Sequence, residues 1–187
     1  MARLNVTSLF ARLLGVGVIV AGVAASSPAH ATGKVGLDLE AALPSDVPDT
    51  EQGWGGAARL GNEWNLVLLK LTPEFEANYH KFGGTGDAKQ FSALAGGRVG
   101  VGLIIQPSVY AHAGVGHFGY RRLYQGMYED IAQTSFAYDV GAALDLTVLP
   151  LIDVGAHASV NGIAGNKDAD PFTWYSIGAH VAISFPN

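Results

Sequence analysis

The sequence predicts an all-β protein, an eight-stranded antiparallel up-and-down transmembrane β-barrel. Three observations carry that reading. Beyond residue 31 the chain alternates apolar and polar residues in eight segments, the period of a strand whose two faces differ. The connections between segments alternate short and long, the rhythm of a meander that closes on itself. The apolar register holds no Asp, Glu, Lys or Arg in any segment. That suits a face turned to acyl chains, where one charge at the midplane costs about 2–4 kcal/mol.

Composition narrows the function classes. The 187 residues include 11 Lys plus Arg and 16 Asp plus Glu, for a net charge of -5, with 49% hydrophobic residues and 25 Gly. This length fits one domain. An acidic balance without a basic cluster speaks against nucleic acid as a partner. With no Cys, disulfides, thiolate metal sites and a cysteine nucleophile are excluded.

Residues 1–31 have the layout of a secretory signal peptide. Arg3 and Arg12 precede an apolar run from Leu13 to Ala25, and Ala29-His30-Ala31 offers a small-x-small cleavage site. That run is shorter than the about 20 residues a helical span needs. The expected division is therefore a signal peptide at 1–31 and a barrel domain at 32–187.

The strands follow in order. The first, 34–43, sets Val35, Leu37, Leu39 and Leu43 against Lys34, Asp38 and Glu40. The second, 53–61, sets Trp54, Ala58 and Leu60 against Arg59. The third, 65–80, sets Leu69, Leu71, Phe75 and Tyr79 against Lys70, Glu74, Glu76 and His80. The fourth, 90–105, sets Phe91, Val99 and Val101 against Ser92 and Arg98. The fifth, 107–120, starts with Val109 and Val115 against Tyr110 and His112. Past Gly116 its phase fails, and a bulge near Gly114–Gly119 would restore it. The sixth, 134–148, sets Phe136, Tyr138, Val140 and Leu144 against Asp139 and Asp145. The seventh, 151–162, sets Val154 and Val160 against Asp153, His157 and Ser159. The eighth, 173–185, sets Tyr175, Ile177, Val181 and Ile183 against Ser176 and His180. Tight turns are expected at Gly61–Trp64, Gln106–Pro107 and Leu149–Leu151. Longer loops are expected at 44–52, 81–89, 121–133 and 163–172, and 121–133 offers room for a helical turn.

Alternation alone does not say which face is inside. A soluble lipocalin-like barrel or a sandwich hides the apolar face; a membrane barrel shows it. Two patterns favour the membrane barrel. The polar face intersperses single ionisable groups with small residues such as Gly36, Gly96 and Gly178, as a narrow lumen requires. On the apolar face, Trp54, Tyr79, Phe91, Phe136, Tyr138 and Tyr175 gather at the strand ends beside the longer loops, resembling an aromatic girdle at a membrane–water boundary.

The signal peptide, the eight strands and the last strand, Tyr175–Phe185, resemble the small outer-membrane barrels of the OmpA/OmpX type. That resemblance implies a bacterial outer-membrane address and a monomer in contact with outer-membrane lipids and the barrel-assembly machinery. Such families often end in an aromatic residue, whereas here Phe185 is followed by Pro186 and Asn187. No peptidoglycan-binding module is expected.

Ten charged residues should face inward: Asp38, Glu40, Arg59, Lys70, Glu74, Glu76, Arg98, Asp139, Asp145 and Asp153. Enclosed charges must pair or hold water, so a salt-bridge network that plugs the lumen is the leading expectation. His80, His112, His157 and His180 share that phase. No HxxxH or HExxH spacing occurs, so no metal and no cofactor is expected, although His157 and His180 lie on neighbouring strands. His157-Ala158-Ser159 resembles the His-x-Ser pair of outer-membrane lipid A deacylases of the PagL type, where the pair faces lipid; here the register turns it inward. The charged loop residues Asp46, Asp49, Glu51, Lys167, Asp168 and Asp170 are expected to be solvated. The functional expectation is a structural or membrane-integrity role, without catalysis. A narrow channel or carrier for a small ionic or hydrophobic solute is the first alternative, and a lipid-modifying enzyme the second.

Overall fold

The computed structural model describes residues 31–45, 50–66, 68–124, 126–166 and 170–186; the expected signal peptide, apart from Ala31, and the loop residues Asp46, Asp49, Lys167 and Asp168 lie outside them. The eight strands are β1 (Ala31–Pro44), β2 (Glu51–Leu66), β3 (Leu69–Gly83), β4 (Lys89–Val101), β5 (Ile105–Tyr124), β6 (Met127–Leu149), β7 (Ile152–Ile163) and β8 (Phe172–Pro186). Each pairs antiparallel with its neighbour in sequence, and β8 returns to β1, closing the barrel.

Alternating side chains then divide into two environments. Leu39 is 67% exposed, whereas the next residue, Glu40, is 6% exposed. The same split runs round the wall: Leu60, Val109, Leu144 and Ile177 face out, while Arg59, Glu76, Asp145 and His180 face in. A surface of Leu, Val and Ile around an enclosed charged interior is the inverse of a water-soluble protein. Acyl chains satisfy it, because closure pairs the strand backbones and leaves no edge. The chain spans a membrane by its strands; among the described residues no helix is long and apolar enough to do so.

Four sequence expectations need correction. The second strand does not stop at Gly61. It runs to Leu66, with Trp64 paired to Leu71, so Gly61–Trp64 is ladder and the turn lies between Leu66 and Leu69. Gly61 is there for space: a Cβ would stand 2.9 Å from the Pro73 carbonyl oxygen. The next turn is Gly102–Ile104, not Gln106–Pro107. Gly102 has φ +109°, which side chains other than Gly resist. Among the described residues of 121–133 there is no helical turn, because β5 and β6 continue as one hairpin to Tyr124↔Met127. Tyr, Leu and Ile there favour strand, and Gly126 at φ +81° allows the tight reversal. Finally, β5 has no bulge at Gly114–Gly119; its register with both neighbours is unbroken. His117 faces out and Phe118 faces in, where it is 2% exposed.

That last correction reflects an inversion of polarity. At the loop end, Phe82, Phe118, Ile163, Phe172 and Trp174 fill the interior with Ala42, Ala88, Leu94 and Ala137. Outside them stand Lys81, Lys89, His117 and Thr134. The wall above the lipid meets water, so the ordinary inside-apolar rule returns there.

Candidate functional site in the barrel lumen

The lumen is a column of paired charges beneath the apolar cap. At the turn end, Lys34 Nζ lies 2.7 Å from Asp153 and 3.3 Å from Glu63. Lys70 Nζ lies 3.2 Å from Glu63 and donates to Gln106 at 2.9 Å. Above them Arg98 bridges two carboxylates, with Nε 3.2 Å from Glu74 and Nη1 3.3 Å from Asp145. Its guanidinium also sits 5.1 Å over the Tyr110 ring. Arg59 Nη2 meets Asp38 at 2.6 Å.

The histidines bind this column together. His112 Nε2 is 3.2 Å from Glu74, and its Nδ1 is 3.4 Å from Asp139 and 3.7 Å from Glu76. His80 Nε2 is 3.0 Å from Glu40, and its Nδ1 is 3.0 Å from the Gln90 amide oxygen. His157 Nε2 lies 3.4 Å from the other oxygen of Glu40. His180 Nε2 contacts Asp145. Near the cap the charges give way to a neutral network: Gln90 donates to Asn78 at 2.8 Å, and Asn161 to the hydroxyls of Ser159 and Ser176 at 2.8 Å.

All ten charged residues expected inside are therefore drawn into contacts in the lumen, Lys70 included through Glu63 and Gln106. Sequence reasoning missed Glu63, which it had assigned to a turn, and the apolar cap. For Glu63, the clue lay in the phase of β1, which forces an equally long partner strand. For the cap, it lay in the inward phase itself: Phe82 continues from His80, and Phe172 and Trp174 lead into Ser176. The six residues expected in a girdle all stand on the outer wall. Trp54, Tyr79, Phe91, Phe136 and Tyr175 are exposed, and Tyr138 is half-buried with its ring across Gly162.

The cap is tightly built. Phe172 stacks on Phe118 at 4.1 Å between centroids and on Trp174 at 5.2 Å, with Phe82 edge-on at 5.1 Å. These rings are each within 2% of full burial, so the lumen is closed at the loop end. A small cavity remains below, ≈ 20 Å³, lined by Lys34, Arg59, Glu74, Arg98, Asp145 and His180, with small residues between. It has room for about one water.

The His157/Ser159 pair does not face lipid. Both side chains are buried in the lumen, and the Ser159 hydroxyl is 2.8 Å from that of Ser176. His157 instead meets Glu40 and His180.

Known structures share this architecture. Neisserial surface protein A superposes with a TM-score of 0.61 and 18% identity, over 82% of this chain and 97% of its own. The attachment invasion locus protein Ail of Yersinia pestis gives 0.53 and 18%, over 83% and 97%. The fold is that of the small eight-stranded outer-membrane barrels. No protein-family model matches the sequence, and no curated protein does. The likeness thus lies in the strand plan, which the lipid-facing alternation dictates, and leaves side-chain identities free.

Proposed function

We propose that this chain is a closed barrel of the bacterial outer membrane with a structural, membrane-integrity role. The observation that carries this reading is the filling of the lumen. Four large rings cap one end, and paired charges occupy the rest. A path for solutes needs a continuous wet bore. A catalytic pair for acyl chains needs a face toward lipid, and His157 and Ser159 have none. The aromatic residues Trp54, Tyr79, Phe91, Phe136, Tyr138 and Tyr175 serve in this reading to fix the barrel's height at the loop-side membrane boundary. Bound outer-membrane lipids and delivery by the barrel-assembly machinery belong to the same proposal.

Planar-bilayer recording tests it. The wild-type barrel should give no steady conductance, while Phe82→Ala/Phe118→Ala/Trp174→Ala should give a small, flickering one. A stable wild-type conductance that the cap substitutions leave unchanged would establish a channel instead. A strain lacking the protein should show raised sensitivity to detergent; normal sensitivity would count against an integrity role.

A further inference from the structure

The tripeptide Gly-Ala-His occurs twice, as Gly155–His157 in β7 and Gly178–His180 in β8. The strands are antiparallel, and their register sets His157 opposite Gly178 and Gly155 opposite His180. Each imidazole thus lies over the glycine of the other strand. A Cβ on Gly178 would stand 2.9 Å from His157 Cε1, and one on Gly155 would stand 2.6 Å from His180 Nε2. The two glycines let the rings approach, and the Nδ1 atoms come within 3.2 Å of each other.

The outer nitrogens of both rings are already committed. Nε2 of His157 faces Glu40 at 3.4 Å, and Nε2 of His180 contacts Asp145. When a carboxylate accepts the Nε2 proton, Nδ1 carries a lone pair. Two lone pairs then face each other inside an enclosed site, and a shared proton or a metal ion beside the N–N line relieves that contact. Asp38 belongs to the same group: it, His157 and His180 each bring one ligand atom within 4.8 Å of the other two.

We propose that His157, His180 and Asp38 form a binding site for a divalent transition metal of the zinc class. Two nitrogens on one tetrahedral zinc at about 2.0–2.1 Å are separated by about 3.4 Å, close to the 3.2 Å found. Carboxylates on the far ring nitrogens are the usual second shell of zinc-bound histidine, and Glu40 and Asp145 supply both. Charge points the same way. Among the described residues the lumen encloses eight carboxylates (Asp38, Glu40, Glu63, Glu74, Glu76, Asp139, Asp145, Asp153) against Lys34, Arg59, Lys70 and Arg98. With neutral histidines the excess is four negative charges, two of which a divalent ion offsets. Arg59, paired with Asp38, opposes the ion and limits its affinity. The small cavity reaches His180 and Asp145, and the single water it has room for would fill the fourth position.

The test is titration of the untagged full chain, folded in detergent micelles, with Zn²⁺ by calorimetry and with Co²⁺ as an optical probe. One equivalent should bind, and Co²⁺ should give the intense visible bands of tetrahedral coordination. His157→Asn and His180→Asn should each weaken binding at least 100-fold. Glu40→Gln should weaken it by about 10–100-fold, and His112→Asn should leave it unchanged. Folding of every variant is checked by heat-modifiable gel migration. Should the histidine variants not fold, X-ray absorption of the wild-type zinc complex decides, and two nitrogen neighbours are required. Absence of saturable binding, an octahedral cobalt spectrum, or binding that survives His157→Asn overturns the proposal.

Discussion

Arg98→Met isolates the role of charge pairing inside the barrel. The guanidinium stands 3.2 Å from Glu74 and 3.3 Å from Asp145, and all three side chains are at most 10% exposed. Methionine nearly keeps the volume and removes the charge. Taking one partner from a buried pair costs about 3–5 kcal/mol, because the other charge is left without compensation. Here the loss is cushioned. Glu74 retains His112 at 3.2 Å, and Asp145 retains His180. The low end applies, about 3 kcal/mol, or a factor of about one hundred in the folding equilibrium. Urea titration in lipid vesicles, followed by tryptophan fluorescence, measures it. Adding Glu74→Gln and Asp145→Asn to Arg98→Met removes the orphaned charges and should recover most of the loss. Two results would refute the reasoning. A single-variant cost below about 1 kcal/mol would mean that the lumen solvates charge as bulk water does. A triple variant no better than the single one would mean that the defect is one of shape.

Two further predictions concern the wall and its turns. Val181→Arg, half-way along the lipid-facing side of β8, should cost about 2–4 kcal/mol in the same titration, whereas Leu43→Arg, paired with Tyr175 at the loop-side end, should cost about 0–1 kcal/mol; equal costs would mean that the apolar belt is not centred where the aromatic residues imply. Gly102→Val, forced to φ +109° with its Cβ against the Ile105 carbonyl, should cost about 1–3 kcal/mol, and a neutral result would show that this turn has room to rearrange.

How much of this was legible in the sequence depends on which distances matter. Facing is set by a period of two, so the inward phase of Asp38, Glu74, Asp145 and His180 could be read without knowing any neighbour. Turn positions were less secure, because Gly61-Asn62 carries the chemistry of a turn and yet lies in a ladder. The local preference lost to the hydrogen bonds β2 makes with both β1 and β3. The polarity switch at Gly116–Phe118 breaks the alternation that one rule for the whole strand requires. In fact the surroundings change from acyl chain to water while the strand runs straight on. Partners within the lumen were not legible at all. Glu40 meets His80 of β3 and His157 of β7, contacts across the bore that depend on strand tilt and stagger, and neither leaves a mark in a single strand's pattern.

The glycines of the inner face follow from the same geometry. An eight-stranded interior is only just wide enough for side chains to fill, so a ring projecting inward needs a neighbour without one. Each of the four lumenal histidines has it: His80 pairs with Gly55, His112 with Gly96, His157 with Gly178 and His180 with Gly155. In every case a Cβ on the glycine would fall closer than 3.0 Å to an atom of that ring. These positions are set by volume, since all four lie within ordinary ladder pairing and none has a positive φ. Histidine and glycine therefore form one unit of this lumen. The sequence pays for each interior imidazole with an empty position on the next strand, and the two Gly-Ala-His segments are what that constraint produces when adjacent strands each carry one.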